Sequence, residues 1–192
     1  MGNAVQKLAL INTEMLEEKK RRAGGKVVLN LACGDKLWDE AINIDLVGNA
    51  FGVKPDIECD IRELPFENEF VDEVHAIHVL EHFYFTEVED VIKEWTRVIK
   101  PGGWLCIEVP CLEKIVANFQ NVELSTKQEY MQLTWLGLYG DQIHGHPEMI
   151  HKWCYSTNLL KKIFDNFGYK NVTVEEPLFH LKKRDMRVSG QK

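Results

Sequence analysis

The sequence predicts one α/β domain built on a mostly parallel sheet with helices on both faces, and three observations carry that expectation. Short apolar, β-branched runs recur along the first 110 residues without the polar alternation of a half-wet sheet, as in strands buried on both faces. The clearest amphipathic helix, 88–99, lies between two such runs, so strand, helix and strand make a βαβ unit. The 192 residues suit a single domain, and 45% hydrophobic with 28% charged residues is enough to build its own core.

An opening helix is expected over 4–22, where Val5, Leu8, Ala9 and Leu16 share a face and Gly24 and Gly25 end it. Strands follow at 26–31, 41–45, 56–60, 71–77 and 104–109, the last introduced by the turn Lys100-Pro-Gly-Gly103. In the helix 88–99, Val88, Val91, Ile92, Trp95, Val98 and Ile99 form the inner face. Thr86 and Glu89 fit a capping box there, and Pro101 stops the helix. Segments 111–119 and 127–138 read as helices and give way to a histidine-rich loop, 139–155. Ser156 caps a further helix with Leu159, Leu160, Ile163, Phe164 and Phe167 inward and Gly168 at its end. A strand at 171–176 and another after Pro177 complete the chain. With no repeat and no linker, residues 1–192 read as a single domain with an embellishment at 111–155 suited to a lid or substrate region.

Composition narrows the function. A net charge of −7 without a basic block repels phosphate backbones, so nucleic acid is not an expected partner. No apolar stretch is long enough for a membrane span and the first residues lack the order of a secretory signal, so a cytoplasmic protein is expected. The five cysteines, 33, 59, 106, 111 and 154, are scattered and contain no C-x-x-C pair. They support neither a disulfide framework nor a cysteine zinc site.

Four strand ends carry chemistry. The first strand runs into Leu31, Ala32, Cys33 and Gly34, where a glycine lets the backbone approach a ligand at the carboxyl edge of the sheet. G-x-G-x-x-G is absent, which counts against NAD and FAD. Asp45, followed by Leu46, ends the second strand, where a carboxylate can accept both ribose hydroxyls of an adenosine moiety or simply cap a loop. Asp60 ends the third, in Cys59-Asp-Ile-Arg-Glu-Leu-Pro-Phe66, and is positioned to accept from an adenine amine. The fourth passes through His78 into Val79-Leu-Glu-His82.

This series resembles the class I S-adenosylmethionine-dependent methyltransferases, and within them the small methyltransferase-11-like type. The residues that carry the likeness are Asp-Ile-Arg-Glu-Leu-Pro-Phe, Val-Leu-Glu-His and Val-Ile-Lys-Pro-Gly-Gly, over about 26–110 and more loosely 164–174. The resemblance implies a Rossmann-like fold, a seven-stranded mostly parallel sheet with an antiparallel last strand, and S-adenosylmethionine as cofactor. It implies that Leu31, Ala32, Cys33 and Gly34 meet the methionine portion, Asp45 and Leu46 the ribose, and Asp60 and Ile61 the adenine, with His78 near the cofactor. Two departures stand out. Asn30 occupies a position where the family motif carries an acid, and only ten residues separate Gly34 from Asp45. The usual first crossover helix must therefore be very short or replaced by a loop, with the N-terminal helix covering that face.

A general base is needed only for a protonated acceptor, and histidine is the natural choice. His82, just past the fourth strand, is the candidate on position; capping the following loop is its plainer role. In the loop, His144, His146 and His151 with Asp141 and Glu148 have ligand chemistry, but Pro147 and the spacing deny them a helical frame, and no metal is expected. His151, within His-Lys-Trp-Cys-Tyr-Ser156, belongs to the resemblance and is the preferred catalytic histidine of a substrate lid. The alternative is a structural loop packed by Trp153 and Tyr155. Tyr84, Trp135 and Tyr139 can wall an acceptor pocket or serve as core. The expected function is methyl transfer from S-adenosylmethionine to a small-molecule or sugar-containing acceptor. Its rivals are a cofactor-binding non-catalytic scaffold and another transferase on the same fold. The loop's aromatics also suit a homodimer contact.

Overall fold

The computed structural model describes residues 12–46, 52–121, 126–142 and 147–192. The expected helical residues 4–11, and His144 and His146, lie outside them. In chain order the elements are α1 (Thr13–Arg22), β1 (Val28–Leu31), β2 (Ile42–Asp45), β3 (Ile57–Glu58), β4 (Val71–Ile77), α2 (Val88–Val98) and β5 (Ile99–Pro110). There follow α3 (Leu112–Gln120), α4 (Lys127–Leu133), α5 (Trp135–Tyr139), α6 (Thr157–Asn166), β6 (Lys170–Glu175) and β7 (Asp185–Gln191).

The strands form one seven-stranded sheet in the order β3-β2-β1-β4-β5-β7-β6. β1 pairs in parallel with β2 and with β4, and β2 with β3. β7 runs antiparallel to β5: the Lys192 N–H donates to Gly103 at one end and the Cys111 N–H to Arg184 at the other, so one numbering rises as the other falls. This is the mostly parallel Rossmann-like sheet with its antiparallel last strand. Strand order reverses at β1, between β2 and β4, and such a switch point leaves a crevice beyond the carboxyl ends.

Packing divides the chain into two compact units: residues up to Ile77 with Asp90–Cys106 and Gln191–Lys192, and His78–Glu89 with Ile107–Gly190. In the first, β1 and β2 bury both faces, and Leu29, Leu31, Ile42, Ile44, Leu64, Ile92, Trp95 and Ile99 are the fully buried core. The inner face of α2 is buried at Val91, Ile92, Trp95 and Val98, following its helical period. Its indole Nε1–H donates to the Ile61 carbonyl (3.1 Å), while Glu94 accepts from Leu64 N–H (2.7 Å) and Arg97 donates to the Leu64 and Phe66 carbonyls. The segment after β3 is thereby laced to the helix.

No helix connects β1 to β2. The connection is a loop organised by two buried asparagines: Asn30 donates to the Lys36 carbonyl (2.8 Å) and to Asn43 Oδ1 (3.0 Å), and Asn43 donates to the Trp38 and Ala41 carbonyls. These amides supply the backbone bonds that a crossover helix would have made internally. α1, capped by Asn12, reaches this loop through Lys19, which donates to the Trp38 carbonyl (3.0 Å), and Arg22, paired with Asp39 (3.3 Å).

In the second unit the core is Leu80, Ile107, Val109, Ile115, Tyr155, Phe164 and Val188. The expected capping box at Thr86 and Glu89 is replaced one turn earlier, where Glu87 Oε2 accepts from the Tyr84 N–H (2.9 Å) across the turn that precedes α2. The expected helix 127–138 is broken at Thr134, whose φ of −122° and ψ of −89° separate α4 from α5. Ser156 caps α6, accepting from the Leu159 N–H (3.1 Å), as its sequence position implies. Leu160, Ile163 and Phe164 are its buried face, with Leu159 and Phe167 only half-buried.

Candidate active site

In the first unit the parallel register sets Leu31 beside Ile44 and Ala76, and Asp45 beside Glu58, so the ends of β1, β2 and β3 share one edge of the sheet. Ala32 (φ 51°) and Gly34 (φ 55°) both take the left-handed conformation, which turns the chain sharply past β1. The Gly34 N–H then donates to Asp45 Oδ2 (2.7 Å) and the Leu46 N–H to Asp45 Oδ1 (2.7 Å). A carboxylate has about four lone-pair sites, so each oxygen retains acceptor capacity. Burial, and then the Asp45 charge, push the Cys33 thiol up to about 12, so it stays protonated and acts as a packing group.

Asp60 follows β3, and its carboxylate is forked by Arg62: Nη2 lies 2.6 Å from Oδ2, and Nε 3.0 Å from both oxygens. The Arg62 N–H adds a bond to Oδ1 (2.9 Å). These hydrogen bonds hold the Asp60 carboxyl below its usual range, so it is an anion at neutral pH. Ile61 is buried beside it, with its carbonyl held by Trp95. The structure thus brings Leu31, Ala32, Cys33, Gly34, Asp45, Leu46, Asp60 and Ile61 to strand ends of one unit.

The remaining named residues lie in the second unit. His78 has φ 52°, and its ring spans two buried carboxylates: Nδ1 is 3.0 Å from Glu81 Oε1, and Nε2 is 3.3 Å from Asp185 Oδ2. Burial pushes His78 down, but the Glu81 charge and the contact with Asp185 outweigh it and raise its pKa to about 9. Burial pushes Glu81 up, yet the His78 charge prevails and holds it at about 2. The His180 ring lies against His78 with centroids 3.9 Å apart; burial, and then the His78 charge, push His180 down to about 4. One imidazolium between two carboxylates and one neutral imidazole result.

His82 and His151 come together, their rings edge to face at 4.9 Å. His82 Nδ1 is 3.2 Å from the Ile150 carbonyl, and His151 Nδ1 is 2.9 Å from the Gly137 carbonyl. A carbonyl only accepts, so each Nδ1 carries the hydrogen and each Nε2 keeps its lone pair. Burial pushes His151 down, which keeps it neutral. The strand of chain that bears His151 is clamped to Glu81, whose carbonyl accepts from the Lys152 (2.8 Å) and Trp153 (3.2 Å) N–H groups.

The loop aromatics divide into packing and surface groups. Tyr155 is fully buried, and its hydroxyl donates to the Leu80 carbonyl (3.3 Å). Trp153 stacks on Phe85 (4.8 Å), Trp135 on Tyr139 (6.0 Å), and the Lys152 ammonium sits over the Tyr84 ring (4.5 Å), all with substantial exposed area. Sequence reasoning missed Glu81, His180 and Asp185. The spacing His78-x-x-Glu81-His82 was the available signal for Glu81; the other two lie about a hundred residues downstream and carry none.

The family model for the methyltransferase domain matches residues 11–107 of the 192. Among solved structures, the chain is similar to an S-adenosylmethionine-dependent methyltransferase from Archaeoglobus fulgidus. That match has 15% identity and a TM-score of 0.55, and covers 94% of this chain and 95% of that one. A Thermotoga maritima methyltransferase, described as a possible histamine N-methyltransferase, matches at 13% identity and a TM-score of 0.58, covering 99% of this chain and 88% of that one. An O-methyltransferase family protein from Burkholderia thailandensis matches at 16% identity and a TM-score of 0.56, covering 87% of this chain and 51% of that one. No match was found among curated proteins.

Proposed function

This chain belongs to the methyltransferase domain family and depends on S-adenosylmethionine, and we propose that it methylates a small-molecule or sugar-containing acceptor. The observation that carries the cofactor half of this reading is the Asp45 carboxylate. It closes the turn at Gly34 through one oxygen and the Leu46 N–H through the other, and keeps an acceptor site on each for a vicinal pair of ribose hydroxyls. Leu31, Ala32, Cys33 and Gly34 line the methionine portion with backbone made accessible by the left-handed turn. Asp60, anionic and braced by Arg62, accepts from the adenine amine, and Ile61 packs against the base. His78 contributes through the positive charge that it holds beside Glu81 and Asp185.

S-adenosylmethionine supplies a methyl carbon already activated by its sulfonium, so the chain's own work is to hold reactants in line and to take up a proton where the acceptor has one. His82 and His151 suit that second task, since both present an unprotonated Nε2. The negative net charge argues for a small acceptor over a nucleic acid. All five cysteines are free thiols, which fits a cytoplasmic setting.

The test is label transfer from methyl-tritiated S-adenosylmethionine to pooled small hydroxyl and amine compounds, sugars, proteins and nucleic acids. Label is expected in a small-molecule or sugar pool. Label confined to protein or nucleic acid, or none in any pool, would overturn the reading.

A further inference from the structure

Glu81, His82 and His151 offer one ligand atom each, and these atoms lie within 4.8 Å of one another. We propose that the three side chains bind a divalent transition-metal cation of the zinc or iron(II) class, through both Nε2 atoms and a Glu81 carboxylate oxygen. The sequence placed no metal here: of this set only His151 belongs to the histidine-rich loop, and the other two ligands come from the turn Leu80–His82 after β4.

The tautomers are the first support. With each Nδ1–H spent on a backbone carbonyl, at 3.2 Å for His82 and 2.9 Å for His151, the Nε2 lone pairs are left available and the rings are held in orientation. Metal-bound histidines are fixed in the same way, by a carbonyl or carboxylate behind the ligating nitrogen.

The carboxylate is the second and independent support. Glu81 is 1% exposed, and neither of its oxygens accepts an aligned hydrogen bond among the described residues. His78 Nδ1 stands 3.0 Å from Oε1, and His151 Nε2 lies 3.9 Å from the same oxygen. A buried carboxylate that lacks aligned donors is costly, and a cation beside the two imidazoles completes its coordination.

The backbone makes the set rigid. Glu81 and His82 are consecutive, and the Glu81 carbonyl clamps residues 152 and 153. Gly140 (φ 73°) allows the close passage of 149–151: a Cβ there would lie 2.0 Å from the Met149 carbonyl and 2.8 Å from the His151 ring. Two imidazoles and a carboxylate form the donor set of catalytic zinc and non-haem iron sites, which keep positions open for water or a substrate oxygen. The ion therefore suits an acceptor bearing a hydroxyl, whose acidity it raises. That use, though not the binding itself, rests on the methyl-transfer reading.

The test uses the full chain, stripped with a chelator and free of cofactor and acceptor. Co²⁺ is titrated with visible absorption, and Zn²⁺ with calorimetry. One ion per chain is expected, with four- or five-coordinate cobalt bands and no thiolate charge-transfer band. Affinity should fall at least ~10-fold in His82→Ala and in His151→Ala, the lower end of the loss seen for perturbed metal sites. Glu81→Gln is the third variant; half-buried His82 keeps the test decisive where that one fails to fold. Absence of saturable uptake, unchanged affinity in both histidine variants, or a thiolate band that puts the ion on cysteine would each overturn the proposal. Binding is read without methyl transfer, so failure here leaves that reading standing, and an inactive enzyme leaves this result standing.

Discussion

Trp95→Ala is expected to lower unfolding free energy by ~3–5 kcal/mol, the usual cost of truncating a fully buried aromatic. Trp95 is completely buried in the first unit, and its indole donates to the Ile61 carbonyl at 3.1 Å. Alanine leaves a cavity and also an unmatched buried carbonyl, which adds to the penalty. The loss reaches the cofactor as well, because the indole anchors the stretch that carries Asp60 and Ile61. Trp95→Phe separates the two effects: it keeps most of the volume, loses the N–H, and should cost about 1 kcal/mol from the hydrogen bond alone. Urea unfolding of the three proteins, read by circular dichroism, measures both. An alanine variant with the wild-type midpoint would mean that this helix does not secure the loop.

Glu108→Ala is expected to cost a similar ~3–5 kcal/mol, since it removes one member of a buried ion pair. Glu108, near the end of β5, is fully buried and lies 2.9 Å from Arg187 Nη1 on β7. Its oxygens also accept from the Leu178 (2.8 Å) and Phe179 (3.3 Å) N–H groups, so one carboxylate fastens both the 178–179 turn and β7. Alanine deprives a buried guanidinium of its counter-charge and two backbone donors of their acceptor. Glu108→Gln retains an acceptor oxygen for the turn but no charge for Arg187, and should recover only part of the loss. Guanidinium unfolding midpoints rank the three; equal stability of the alanine variant would contradict the anchoring role.

The parts of the molecule legible in the sequence are those that local pattern controls. β1, β2 and β4 follow from apolar runs, α2 from a single helical face, and the α6 cap from Ser156. Asp45 and Asp60 were visible because each stands where a strand ends and a loop begins. Tertiary pairing was not visible. Asn30 read as a lost acid, yet its amide, with that of Asn43, builds the loop that takes the place of a crossover helix. His78 read as a cofactor contact, whereas its ring is engaged with Glu81 and Asp185, the latter more than a hundred residues away. His82 and His151 were both named, but no spacing rule sets two rings 4.9 Å apart across sixty-nine residues of chain. Burial of Glu81 between them is a product of packing, which a linear motif does not encode.

The central claim is that the β1 and β2 strand ends hold S-adenosylmethionine, with Asp45 as the group that grips its ribose. Calorimetric titration of S-adenosylmethionine into the wild-type chain and into Asp45→Ala tests it most directly. The expected result is one site per chain in the wild type and a loss of about 1 kcal/mol or more in the variant, the worth of a charge-assisted hydrogen bond. Absence of binding by the wild type, or equal affinity in the two proteins, would contradict the account.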